Sequence, residues 1–202
     1  MKPKMTVRKA SKLFAATEEE LAEEALKYSK VKQREGMSFP LWYTNCLKLG
    51  ARDICEGKSA EDAFLRVTNF PDALKAKAHG LIRSFQEIVA ANDDIDFTPQ
   101  ESPKGCNTSI EGVTLSTRQD LVASKKSDGR LLLLYFHVVD TPMKAQQAET
   151  LLQLAQYIAD ARQINADVAI VDIPRKRLIR VYDDYDPEQM KATVANAMSK
   201  LH

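Results

Sequence analysis

Apolar residues recur along this chain with two different periods, and the change between them falls near residue 108. Before it, Leu74, Ala78, Leu81, Ile82, Phe85, Ile88 and Val89 are spaced three and four apart, as on one buried helix face. Pro71 and Asp72 open that helix, and Asn92-Asp93-Asp94 closes it near Ala91. Upstream, Thr17-Glu18-Glu19-Glu20 has the form of a capping box and predicts a helix over residues 17–34. A second helix is expected over residues 40–56, and Ser59 with Asp62 caps a short third. Between the first two, Met37-Ser38-Phe39-Pro40-Leu41-Trp42-Tyr43 reads as a hinge packed under neighbouring helices or as a partner groove.

From Thr108 onward the pattern is that of strands. Residues 108–115 and 117–124 are β-rich, with a bend or bulged hairpin expected near Gly112 or Ser116. Ser127-Asp128-Gly129 is a turn. Residues 130–139 are then apolar on both faces, the mark of a central strand covered on each side. A helix over residues 142–163 buries Leu151, Leu154, Ala155, Ile158 and Ala161. Residues 167–173 and 178–182 form a hairpin-like pair around Pro174-Arg175-Lys176-Arg177. Asp186-Pro187-Glu188-Gln189 starts a last helix, with proline at its first position and Met190, Val194, Met198 and Leu201 on its core face. The expectation is an α/β fold. A mixed central sheet flanked by helices occupies residues 71–202, and a helical N-terminal lobe occupies residues 1–70.

Composition narrows the classes. With 202 residues, 44% hydrophobic and 28% charged, the chain can bury one sizeable core. No run of about 18 apolar residues exists to span a membrane. The net charge of +1 gives no whole-chain nucleic-acid signal, so any polyanion site must be a local patch. Cys46, Cys55 and Cys106 form no C-x-x-C pair and His79, His137 and His202 are scattered, so zinc is not expected. Reduced thiols suit a cytoplasmic protein. The acid-free start, with Lys2, Lys4, Arg8, Lys9 and Lys12, lacks the apolar core of a secretory signal and reads as a flexible basic tail. No Gly-rich phosphate loop, Gly-x-Ser-x-Gly elbow or His-Glu-x-x-His segment is present.

The candidate chemistry centres on Asp120, within Arg118-Gln119-Asp120-Leu121-Val122. Tyr135 and His137 share one face of the next strand, and Gln153 and Tyr157 lie one turn apart on the following helix. With the order helix, three strands, helix, two strands, helix, this part of the chain resembles the PD-(D/E)XK nuclease superfamily, and within it the RecB-type exonucleases. The resemblance covers about the C-terminal two thirds. It implies that Asp120 stands where the first Mg²⁺-binding acid belongs, and that Gln153 and Tyr157 match the subgroup's helix pair. It also implies that Tyr135 and His137 occupy the positions of the second acid and the lysine. A phenol with a pKa of about 10 is a poor Mg²⁺ ligand. An imidazole can act as a base or donate to phosphate but is no permanent cation. Glu87, the candidate for an extra acid from the preceding helix, points away from that helix's apolar stripe.

The expectation is therefore a nuclease-like domain with a degenerate site, leaning away from catalysis and needing no cofactor, that acts in binding or assembly. Its partner would be nucleic acid, through Arg175, Lys176, Arg177 and the basic N-terminus, or protein, through the hinge at Trp42. One alternative is a divergent Mg²⁺-dependent DNA nuclease, with Asp120 as metal ligand, His137 in place of lysine, and a carboxylate recruited from Glu111 or Asp140. Another is a structural or regulatory homo-oligomer formed through the N-terminal helices. Each residue also has a plainer role. Asp120 can cap a turn or pair with Arg118 or Lys125, His137 can be a hydrogen-bonded core residue, and Tyr135 can serve packing. Arg175 to Arg177 can form a charged turn that keeps an edge strand soluble.

Overall fold

The computed structural model describes residues 4–17, 19–21, 39–103, 107–180 and 186–199, and of residues 4, 39–43 and 197 the backbone alone. In chain order the elements are β1 (Lys4–Thr6), α1 (Val7–Phe14), α2 (Phe39–Cys55), α3 (Ala60–Phe64) and α4 (Asp72–Ala91). They continue as β2 (Ile95–Asp96), β3 (Asn107–Ile110), β4 (Val113–Ser116), β5 (Leu121–Lys125) and β6 (Leu131–His137). The last are α5 (Ala145–Ala161), β7 (Ala166–Asp172), β8 (Arg177–Arg180) and α6 (Pro187–Ser199). The class is α/β, with two mixed sheets.

The main sheet has the order β2-β5-β6-β7-β8, parallel between β6 and β7 and antiparallel elsewhere. The apolar run 131–137 is its middle strand, as its two-sided hydrophobicity predicts. Leu132, Leu134 and Phe136 face one layer, with Leu47, Ala51 and Ile54 of α2, Ala63 of α3 and Leu81, Ile82 and Phe85 of α4. Leu133 and Tyr135 face the other, with Val7, Ala10 and Phe14 of α1, Leu151, Leu154 and Ile158 of α5, and Met190 and Val194 of α6. Helices on either side of residue 70 thus share a core with the sheet. The Ser59–Asp62 and Thr17–Glu20 capping boxes both form. The rest of the helix expected over residues 17–34, and the side chains around Trp42, lie outside the described residues.

Three expectations are corrected. Residues 108–124 do not supply two neighbouring strands of one central sheet: β3 and β4 form a second, three-stranded sheet with β1 in the order β1-β4-β3. The expected bend is a two-residue hairpin turn in which Glu111 (φ 43°) and Gly112 (φ 80°) are both left-handed, the turn geometry that matches strand twist. Residues 4–14 are not a tail. Thr6 caps α1, Val7, Ala10, Ser11 and Phe14 bury one face of it, and β1 runs parallel to β4, with Lys4 opposite Thr114. The central strand also stops short of its apolar run: it ends at His137, and Val139 is 53% exposed.

Candidate functional site

The chain enters β5 through Asp120. Its amide donates to the Leu134 carbonyl (2.8 Å), and its carboxylate Oδ2 accepts from the Phe136 amide (2.7 Å). The side chain thus takes over a backbone acceptor's role where the β5–β6 ladder ends. Cations reach it from both helical layers. Arg8 of α1 bonds Oδ2, and the Lys48 Nζ of α2 lies 2.6 Å from Oδ1. The carboxylate is 1% exposed, against 34% for the Arg8 side chain and 27% for that of Lys48. The Arg8 guanidinium also stands 5.5 Å from the centre of the Tyr135 ring, so Asp120 and Tyr135 meet on one cation.

A buried carboxylate gains most from charged donors. Here they exceed its own charge. Burial, then repulsion from Arg8 and Arg118, pushes the Lys48 ammonium down to about 8. Two cations, Arg8 and Lys48, thus meet on the Asp120 carboxylate, and Arg118 stands near enough to repel Lys48. Beside them, Arg118 and Gln119 line an open cleft of about 790 Å³.

His137 takes a different role. Its Nε2–H donates to the Thr141 carbonyl (2.8 Å) and ties down the loop leaving β6. Opposite it on β7 is a carboxylate that sequence reading missed, Asp172, 1% exposed. Arg175 Nη1 approaches its Oδ1 at 2.8 Å and Arg177 Nε its Oδ2 at 3.0 Å. Lys176, left-handed at φ 52°, pairs with the exposed Glu87 (2.7 Å). The turn expected to touch phosphate thus has a carboxylate on each of its cations. Gln153 donates to Glu149 within its own helix (3.2 Å), and Tyr157 lies within electrostatic reach of Lys191 on α6. Glu111 sits in the β3–β4 turn, and Asp140 pairs with Lys77 (2.5 Å) while its carbonyl accepts from Arg175. Asp120 and Tyr135 are brought together. No hydrogen bond or ion pair joins Asp120 to His137, Gln153, Glu111 or Asp140.

A Mg²⁺ ion prefers several hard oxygen ligands in octahedral geometry. Both Asp120 oxygens already carry cationic donors. Among the described residues no group of three or more His, Cys, Asp or Glu side chains is placed to hold a metal ion. The donor set at Asp120 does not fit the metal that the nuclease resemblance implies.

Arg8 and Asp172 had local signals in the sequence. Arg8 lies on a helix announced by Thr6 and the Val7, Ala10, Phe14 spacing. Asp172 closes an apolar strand just before a basic turn. Lys48 had none.

No protein-family model matches the chain, and no curated protein matches it.

Proposed function

We propose that the chain is a nuclease-like domain that works by binding rather than cleavage, with a phosphate-bearing polymer, nucleic acid, as its partner. One observation carries this reading: the acid expected to hold the catalytic metal carries Arg8 and Lys48 on its two oxygens instead. A cation in a metal's place removes the Lewis acid and the water it would activate, and leaves a positive site suited to phosphate. The meeting of Asp120 with Tyr135 on Arg8, and the helix, strand-pair and helix that follow the central strand, support the nuclease-like ancestry. The two cationic side chains of Arg8 and Lys48 on the Asp120 carboxylate support an anionic partner. Once cations are held, affinity should fall steeply with salt, because each phosphate contact releases a counterion.

The test is retention of the full chain on single- and double-stranded DNA and RNA over a salt series, beside a cleavage assay with Mg²⁺ and Mn²⁺. Salt-sensitive binding without cleavage is expected. Metal-dependent cleavage that Asp120→Asn abolishes would reverse the proposal in favour of a nuclease. Absence of binding to any nucleic acid at low salt would end it.

A further inference from the structure

Arg8 and Lys48 come to Asp120 from opposite faces of the main sheet. α1 packs on the layer that holds Tyr135, and α2 on the layer that holds Leu134 and Phe136. The two side chains meet at the end of the sheet, where β5 begins beside Phe136. Asp120 lies beneath them and is buried, while both cations are partly exposed. An incoming anion therefore meets the cations before it meets the acid. A guanidinium carries five N–H donors and an ammonium three, so a bond to Asp120 leaves either group able to donate to a second oxygen. Two such donors, held at a fixed spacing by a shared carboxylate, suit the paired oxygens of a phosphate diester.

Lys48 adds a property that Arg8 lacks: burial, and then the two neighbouring guanidiniums, bring its titration down to about 8. Asp120 and Arg118 face it from the entry to β5, and Arg8 faces it from α1. One turn along α2, Arg52 pairs with Glu56. On the elements packed against α2, Arg66 is held by Asp53, Lys77 pairs with Asp140, and His79 and Arg83 lie against the Phe64 ring. A phosphate seated on Arg8 and Lys48 puts negative charge beside the amine and favours its protonated form. Affinity is then complete below about pH 8 and falls as the pH rises through it, by up to about tenfold per pH unit.

We infer that Arg8 and Lys48 together hold one backbone phosphate of the bound strand, and that Lys48 takes up a proton as the phosphate arrives. This rests on the nucleic-acid reading above and adds to it the contacting residues and a response to pH. The Arg175–Arg177 turn repeats the arrangement, with two arginines on the buried Asp172. There, however, a phosphate would also meet two exposed acids, Glu87 bonded to Lys176 and Asp140 whose carbonyl accepts from Arg175. At Asp120 the further charge bearing on Lys48 is a cation, Arg118.

The experiment measures binding of a labelled single-stranded oligodeoxyadenosine to the full chain from about pH 7 to 9 at fixed salt, a range in which neither its bases nor its diesters titrate. The natural chain should lose about tenfold in affinity across that range. Lys48→Arg keeps a cation at every pH used and should bind well with a flat profile. Lys48→Gln should bind about tenfold more weakly at neutral pH, again with a flat profile, and lower the salt slope by about one. Lys176→Gln should follow the natural chain. Thermal melts at each pH show that the variants are folded, and dimethyl phosphate serves as the free diester. If the strand binds but the natural profile is flat, or Lys48→Arg falls with pH as the natural chain does, or Lys48→Gln binds as well as the natural chain, the Arg8–Lys48 assignment falls and the nucleic-acid reading stands. If dimethyl phosphate raises the melting temperature of the natural chain but not of Lys48→Gln, and no strand binds, the phosphate site stands and the nucleic-acid reading falls. If neither binds, both fall.

Discussion

Replacing Asp120 by alanine deletes an acceptor and an anion from a place sealed from water. Three groups lose their partner: the Phe136 amide at 2.7 Å, the Arg8 guanidinium, and the Lys48 ammonium at 2.6 Å. The orphaned amide alone costs about 1–3 kcal/mol. Breaking a fully buried ion pair would add about 3–5 kcal/mol. Arg8 and Lys48, however, keep 34% and 27% of their side-chain surface, so solvent screens them and the charge term falls to about 1 kcal/mol. The expected loss for Asp120→Ala is about 3 kcal/mol. Asp120→Asn keeps an oxygen for Phe136 and should lose about 1–2 kcal/mol. Urea denaturation followed by far-ultraviolet circular dichroism gives both values. With a slope of about 2 kcal/mol/M, the midpoint of the alanine variant should drop by about 1.5 M. A loss under about 0.5 kcal/mol for alanine would refute the reasoning, as would asparagine performing no better than alanine. Mg²⁺ that raised the midpoint of the natural chain but not of Asp120→Asn would show that metal competes with the two cations after all.

Acid should weaken the fold through Asp53, whose carboxyl is drawn down to about 2, chiefly by its bond with Arg66 and further by Lys58. Its folded value lies below its ordinary 3.8, so its contribution is complete above about pH 4 and is lost as the pH falls through 2; about 2 kcal/mol should disappear in acid denaturation, and Asp53→Asn should flatten that slope. Cys55, its thiol pushed up to about 12 mainly by burial, should react with iodoacetamide at pH 8 roughly a thousandfold more slowly in the folded chain than in urea, as peptide mass mapping would show. Gly80→Ala should stabilise by about 0.5–1 kcal/mol, because the position is exposed in mid-helix and a Cβ there meets nothing within 4 Å. Gly112→Ala should destabilise by about 1 kcal/mol despite equally open surroundings, because its φ is +80°; thermal melts of the two variants should move in opposite directions.

Long, strongly periodic elements were legible in the sequence. The face of α4 and the two-sided apolar run of β6 depend on many residues repeating one rhythm, and packing against neighbours preserves it. A helix of eight residues carries too few repeats to outvote its basic composition, so α1 read as a tail. The hairpin at Gly112 was legible as a bend. Which sheet it joins was not, because that depends on β1, whose paired residues lie 110 positions away. Asp120 stood out as an acid beside a strand, yet its partners Arg8 and Lys48 are 112 and 72 positions upstream. Local pattern proposes Arg118 and Lys125 as partners; the fold brings in remote ones and gives Lys125 to Asp167. Gln153 and Tyr157 share a helix face as their spacing predicts, but spacing cannot say what that face meets.

The parallel pairing of β1 with β4 also sets an order of events. A three-residue ribbon at positions 4–6 has nothing to zip against until residues 113–116 have closed their own hairpin, so its docking comes late and spans a loop of more than a hundred residues. Until then the apolar stripe of the first helix, Val7, Ala10 and Phe14, stands in water as a transient adhesive strip. A bulky fusion joined just ahead of residue 4 would slow maturation more than the same fusion placed after the last helix.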